Sequence, residues 1–187
     1  KKIRWENVIG ELLWMLSGKT DLPSLRKYQC KPEGAKTIWS DDFEKFWNRE
    51  ELMYEDNTPC PERFKECGGD IYGKQLRKYG AIGLDQLEVL ISNLEATKED
   101  NSYYMGRRLK CEFWNPEDHL DWGKFRSGAA LPACHTGFQC MVDDGKLNLK
   151  FNMRSNDLFL GNPYNVFFYG VLTHILAKLT GLQVGEL

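Results

Sequence analysis

The chain has 187 residues, of which 42% are hydrophobic and 28% charged, and its formal net charge is −2. That is globular composition at a length suited to one domain, which excludes a disordered or fibrous chain. A charge so close to zero gives no field for drawing in nucleic acid or an anionic membrane, so any bound anion must be held by a few placed arginines.

The first stretch, KKIRWENVIGELLWMLSG, mixes charges into an apolar pattern. No signal peptide is read there, and no run of about 18 apolar residues offers a membrane span, so a cytoplasmic location is expected, in the host if the source is viral. Ile3, Val8, Ile9, Leu12, Leu13 and Leu16 recur at helical spacing, and Gly18 is a terminator. Glu11 lies inside this helix, where an unpaired buried carboxylate is costly. It is either a solvent-facing residue or one held inside for its chemistry.

A turn-rich patch with Pro23, Pro32 and Gly34 precedes the short apolar TIW. Residues 40–70 are charged and irregular and read as a surface insertion or a partly helical excursion. The six cysteines, at 30, 60, 67, 111, 134 and 140, form no CxxC pair and read mostly as reduced thiols. Cys60 and Cys67 are the best candidates for a zinc or disulfide pair, but their spacing is not the usual one, and no metal is implied. LDQLEVLISNL, residues 84–94, predicts a second amphipathic helix.

RRLKCEF alternates from Arg107 to Phe113 as a strand would, sending its two arginines to opposite faces. The pair is either a solvated edge or part of an anion site. A loop rich in Asp, Gly and Trp leads on to LPACHTGFQ. HTGFQCMV then reads as a strand, DDGK as a turn and LNLKFNMR as the hairpin partner. Leu147, Leu149, Phe151 and Met153 face one way; Asn148, Lys150, Asn152 and Arg154 face the other. NVFFYGVLTHILAKL is apolar nearly all round and predicts a buried helix ending at Gly181. Strands mixed with helices give an α+β fold, a sheet packed with helices.

If the hairpin forms, its far end returns Arg154 and Ser155 to the neighbourhood of Cys134 and His135. A nearby positive charge favours thiolate, the nucleophilic form; the alternative is a buried, inert cysteine. Arg154 together with Arg107 and Arg108 makes a phosphate site reasonable, since guanidinium forks match phosphate oxygens. RSNDLFLGNPYN, residues 154–165, is the densest polar cluster in the chain. Its Asn165 is a helix cap or an amide that reads the edge of a base.

Taken in order, GELLWMLSGKTDL, TIW, YGKQLR, LDQL, RR with WNP, LPACH with FQ, RSNDLFLGNPYN and GLQVGEL resemble the thymidylate synthase family, with its pyrimidine nucleotide hydroxymethylases. The resemblance implies a mixed sheet packed with helices over a single domain, residues 1–187, with a sheet face forming a homodimer. It implies transfer of a one-carbon unit from 5,10-methylenetetrahydrofolate, a co-substrate, to C5 of dUMP. Cys134 would form a covalent adduct at C6, and the product would be dTMP. Two alternatives stay open: a hydroxymethylase giving 5-hydroxymethyl-dUMP, and a non-catalytic nucleotide-binding module.

The same resemblance assigns residues. Glu11, Tyr72 and His135 match the network that handles protons near C4 and C5. Arg154 and Ser155 match phosphate-binding positions, and Arg154 also lies beside the nucleophile. Arg107 and Arg108 match a pair that crosses the homodimer interface to the other subunit's phosphate. Asn165 matches the amide that reads O4 and N3 of uracil. Asp157 matches a pterin contact, while Trp39, Leu131, Leu160 and Gly161 match positions around folate. The family extends beyond both ends of this sequence, with a further phosphate-binding arginine before it and a deoxyribose-binding stretch after it, so a fragment or omitted segments are expected. Met153 stands where synthases usually carry glutamine, Leu76 where a tryptophan is common, and Asp42 near a second folate-side tryptophan. Lost aromatic cover favours water entry, as a hydroxymethylase requires.

Overall fold

The computed structural model describes residues 3–47, 66–119 and 128–187. Much of the expected 40–70 excursion, the Asp/Gly/Trp loop and Cys60 lie outside the described residues. In chain order the helices are α1 (Trp5–Leu16), α2 (Leu22–Tyr28), α3 (Ser40–Trp47), α4 (Tyr72–Arg77), α5 (Gln86–Glu99) and α6 (Asn162–Thr180). The strands are β1 (Lys110–Glu112), β2 (His135–Asp143), β3 (Lys146–Met153) and β4 (Gln183–Val184).

The β2–β3 hairpin is the frame on which the rest is hung. Asp144 and Gly145 join its strands with φ of 45° and 69°, the pair of positive values that a two-residue type I′ turn requires. β1 pairs antiparallel with β2, and β4 pairs parallel with β3, so the sheet is mixed, in the order β1-β2-β3-β4. The expected alternation holds along β3: Leu147 and Leu149 are buried, while Lys146, Lys150 and Asn152 are exposed.

α6 crosses the covered face of the sheet. Pro163 sits in its first turn, and Gly181 closes it at φ 66°. Tyr169 stacks on Phe151 with centroids 4.3 Å apart and planes at 8°, the tightest ring contact among the described residues. Its composition predicts burial all round, but the helix is buried on one side only. Val166, His174 and Leu179 are exposed because only one side of α6 meets the sheet, α1 and α5.

Around this, α1 buries Val8, Leu12, Trp14 and Met15. α5 begins after Asp85, whose carboxylate accepts the Glu88 N–H, and it continues past the expected end at residue 94 to Glu99. Arg77 clamps three elements together: its Nε donates to Asp85 at 2.8 Å and its Nη1 to the Leu16 carbonyl at 3.0 Å.

The strand expected from Arg107 to Phe113 is shorter than its alternation implies. The chain turns between Tyr103 and Gly106, and the Arg108 N–H donates back to Met105 O at 2.7 Å. Extended pairing therefore starts only at Lys110, and Arg107 and Arg108 sit in an exposed turn, not on opposite faces of a strand.

Gly137 allows β1 to approach β2, because a Cβ added there would lie 2.4 Å from the Cys111 carbonyl oxygen. Gly137→Ala is expected to push β1 away and cost about 1–3 kcal/mol. The change would appear as a lower urea midpoint; an unchanged midpoint would contradict this packing. Among the described residues no helix is long and apolar enough to cross a membrane.

Candidate active site

The register of the hairpin slips between His135 and Gly137. His135 pairs with Met153 and Gly137 with Asn152, so Thr136 is an extra residue on β2. Such a bulge bends the strand and re-aims the residues beside it. At this end the Arg154 N–H donates to the Cys134 carbonyl at 2.9 Å, bringing the two ends of the hairpin together as the sequence predicts.

The peptide around Cys134 is held from two sides. From α4, the Tyr72 hydroxyl oxygen accepts the N–H of Cys134 at 2.8 Å and of His135 at 3.3 Å. From the end of β3, the Arg154 guanidinium donates to the carbonyls of Ala133 (2.9 Å) and Pro132 (3.1 Å) and lies over the Trp114 ring. The thiol therefore sits on a fixed backbone while its sulfur faces an open cavity.

Burial governs the titrating groups behind it. The His135 ring is pushed down to about 4 by desolvation, and its Nδ1 shares a 3.0 Å hydrogen bond with the Tyr169 hydroxyl. It is therefore neutral at physiological pH. Desolvation also raises the Tyr72 and Tyr169 phenols, which stay protonated. Glu11 is raised by burial, opposed by the Trp39 indole N–H, which donates to its Oε1 at 2.7 Å, and by the Lys31 charge.

Glu11, Tyr72 and His135, though not Tyr169, open with Cys134 onto one cavity of about 570 Å³. Glu11 and Tyr72 line it, together with Cys134 and His135, with Asp157, Leu160 and Gly161 from the stretch that leads into α6, and with Asn165 from the first turn of that helix. Trp39 and Leu131 supply apolar surface. Trp39 packs against Trp14, Phe43 and Tyr72, which fixes its indole against Glu11. The Asp157 carboxylate accepts the N–H groups of Phe159 (2.9 Å) and Leu160 (2.8 Å), a turn that shapes this part of the lining.

Not every candidate gathers here. Arg154 braces the backbone leading to the thiol and Ser155 is exposed, and neither lines the cavity. Arg107 and Arg108 are exposed and away from it. Asn165 is not a cap: α6 starts at Asn162 after Gly161, and Asn165 falls within the first turn with its side chain on the cavity wall.

Sequence reasoning did not single out Val8, Met15, Ile38, Tyr164 and Phe168 as lining residues. For three of them the signal was present. Val8 and Met15 flank Glu11 at helical spacing, and Phe168 follows Asn165 by three residues. Asp42, noted only as a departure from the family pattern, also lines the cavity. Among the described residues no cluster of three or more His, Cys, Asp or Glu could hold a metal.

Fold and cavity together define a small-molecule site on an α+β scaffold, lined by a thiol and a side-chain amide. A family model described as thymidylate synthase matches residues 1–187, and the chain belongs to the thymidylate synthase family. The probable thymidylate synthase of Escherichia phage T5 is 43% identical over 185 residues, covering 98% of this chain and 57% of that protein. The thymidylate synthase of Enterobacteria phage T4 is 35% identical over 188 residues, with 100% of this chain and 57% of that protein covered. The crystal structure of thymidylate synthase from T4 phage matches with a TM-score of 0.78 at 34% identity, covering 99% of this chain and 56% of that one. The chain thus spans little more than half the length of these relatives.

Proposed function

We propose that the protein carrying this chain transfers a one-carbon unit from 5,10-methylenetetrahydrofolate to C5 of dUMP, giving dTMP. The observation that carries this reading is the convergence of the Cys134 thiol, the Glu11 carboxyl and the Asn165 amide on one cavity. Its volume lies within the range of small-molecule sites, roughly 300–1,000 Å³.

In this reading Cys134 Sγ bonds to C6 of the uracil ring, and the electron pair of the C5–C6 double bond moves to C5, delocalised onto O4. Asn165 holds the O4 and N3 edge. Glu11, with Tyr72 and His135 behind the thiol, handles the protons near C4 and C5. Breaking the sulfur–C6 bond later returns the thiolate. Arg154 and Ser155 bind the phosphate, joined by Arg107 and Arg108 of the partner subunit in a homodimer. The exposed sheet residues Gln139, Met141, Lys150 and Asn152 offer the face for that dimer.

The residues fit the co-substrate. A pterin needs an apolar slot with a hydrogen-bonding rim, and Trp39, Leu131 and Leu160 supply the slot, with Asp157 and Gly161 at the rim. Methylenetetrahydrofolate supplies the carbon and then a hydride when bound.

A second reading, a hydroxymethylase, is favoured by Asp42, which puts a carboxyl where aromatic cover would exclude water. The test is the product formed from dUMP and methylenetetrahydrofolate. A nucleotide heavier by one methylene, with dihydrofolate released, is expected. A hydroxymethyl product with tetrahydrofolate released would replace the synthase reading by the second.

A further inference from the structure

The Asn165 amide is held in one sense by residues outside the cavity. Its Nδ2 donates to Asn156 Oδ1 at 3.1 Å and to the Met153 sulfur at 3.3 Å. Asn156 in turn donates its own Nδ2 to Asn162 Oδ1 at 2.8 Å, which leaves its oxygen pointing at Asn165. A thioether carries no hydrogen and can only accept, so Met153 imposes the same sense independently. Turning Asn165 over would set its oxygen against two acceptors.

That turn matters chemically. A side-chain amide presents a donor beside an acceptor, and rotating it by half a turn exchanges them. Uracil shows an acceptor, O4, beside a donor, N3–H. Cytosine shows a donor, its amino group, beside an acceptor, bare N3. An amide free to turn can read either base; an amide locked in one sense reads one of them well. The hydrogen on Met153, whose sulfur is the weaker acceptor, is the one surrendered to a ligand, while Asn156 keeps hold of the other.

We propose that Asn156 and Asn162, together with Met153, form a relay that locks the Asn165 amide and thereby sets the preference for uracil over cytosine nucleotides. This rests on the reading of Asn165 as the base-contacting amide. The three are positioning residues, since none lines the cavity. Met153, which replaces the family's usual glutamine, belongs to the relay because a glutamine amide could donate as well as accept and would lock nothing by itself.

The test is the ratio of dCMP to dUMP dissociation constants, measured by calorimetry on the full-length protein and its variants. Asn156→Ala removes the acceptor that still holds the amide once a base has taken the hydrogen from Met153, and is expected to lower the ratio roughly three- to tenfold, chiefly by tightening dCMP. Asn156→Asp keeps an acceptor facing Asn165 and is expected to keep the wild-type ratio. Met153→Leu removes only the sulfur acceptor at similar volume and is expected to lower the ratio by less. It also supplies the answer if Asn156→Ala does not fold. An unchanged ratio in the folded variants, or equal weakening of both nucleotides, overturns the relay and leaves the proposed function standing. A wild type that does not prefer dUMP to dCMP overturns both.

Discussion

Cys134→Ser is expected to lower product formation by about four orders of magnitude or more, while dUMP affinity changes by no more than a few fold. The two effects separate because of how the residue is held. Its N–H goes to Tyr72 and its carbonyl receives the Arg154 N–H, both through backbone atoms that serine also carries. The fold of the loop survives and only the atom proposed to attack C6 changes. A hydroxyl is a far poorer nucleophile than a thiol. Mass spectrometry after incubation with 5-fluoro-dUMP and methylenetetrahydrofolate checks the assignment directly. Wild type is expected to gain the mass of a covalent complex and the variant to remain unmodified; the same unmodified mass for both would remove Cys134 from its role.

Glu11→Gln is expected to act in opposite directions on activity and on stability. Loss of the proposed proton-handling group is expected to lower kcat by roughly 10²- to 10⁴-fold, with little effect on dUMP affinity. Glutamine retains an oxygen to accept the Trp39 indole N–H, so the aromatic packing is undisturbed. The stability effect follows from the raised carboxyl. A group that holds its proton more tightly when folded than when unfolded loses stability as pH rises through the interval between its two pKa values. Above that interval the full cost is present; below the ordinary carboxylate range it vanishes. Glutamine never ionises, so the variant is expected to unfold at higher urea than wild type at neutral pH and at the same urea in acid. A variant less stable at neutral pH would contradict the burial assigned to Glu11.

Local features were the legible ones. The hairpin declared itself through the Asp-Gly turn and the alternation of β3, because both signals are written within a few residues. Alternation misled at Arg107 and Arg108, where a backbone turn closed by Arg108 N–H to Met105 O overrides a two-residue period. Composition over-buried α6, since an apolar run does not say which side finds a partner; Val166 and Leu179 found none within the described residues.

At the site, Cys134 was singled out by a resemblance, and periodicity left it open. Glu11 was ambiguous for a physical reason: what fixes it is Trp39, 28 residues away, and no local pattern reports such a contact. The support of Cys134 by Tyr72, 62 residues away, was equally invisible. The bulge at Thr136 has only Gly137 beside it as a mark in HTGFQ, since an isolated glycine in a strand suggests a bulge.

The cavity draws on α1, the start of α3, α4, β2 and α6, and that spread imposes a timetable. A hairpin is local and closes within microseconds of being available, so Cys134 and Arg154 meet early. Glu11, Trp39 and Tyr72 are synthesised first but have nothing to enclose until α6 docks across the sheet, and such long-range contacts come late. A nascent chain halted before Asn165 therefore carries Cys134 as an unspecialised thiol, open to any oxidant or electrophile it meets. Synthesis of one more helix is what turns that sulfur from a liability into a selective group.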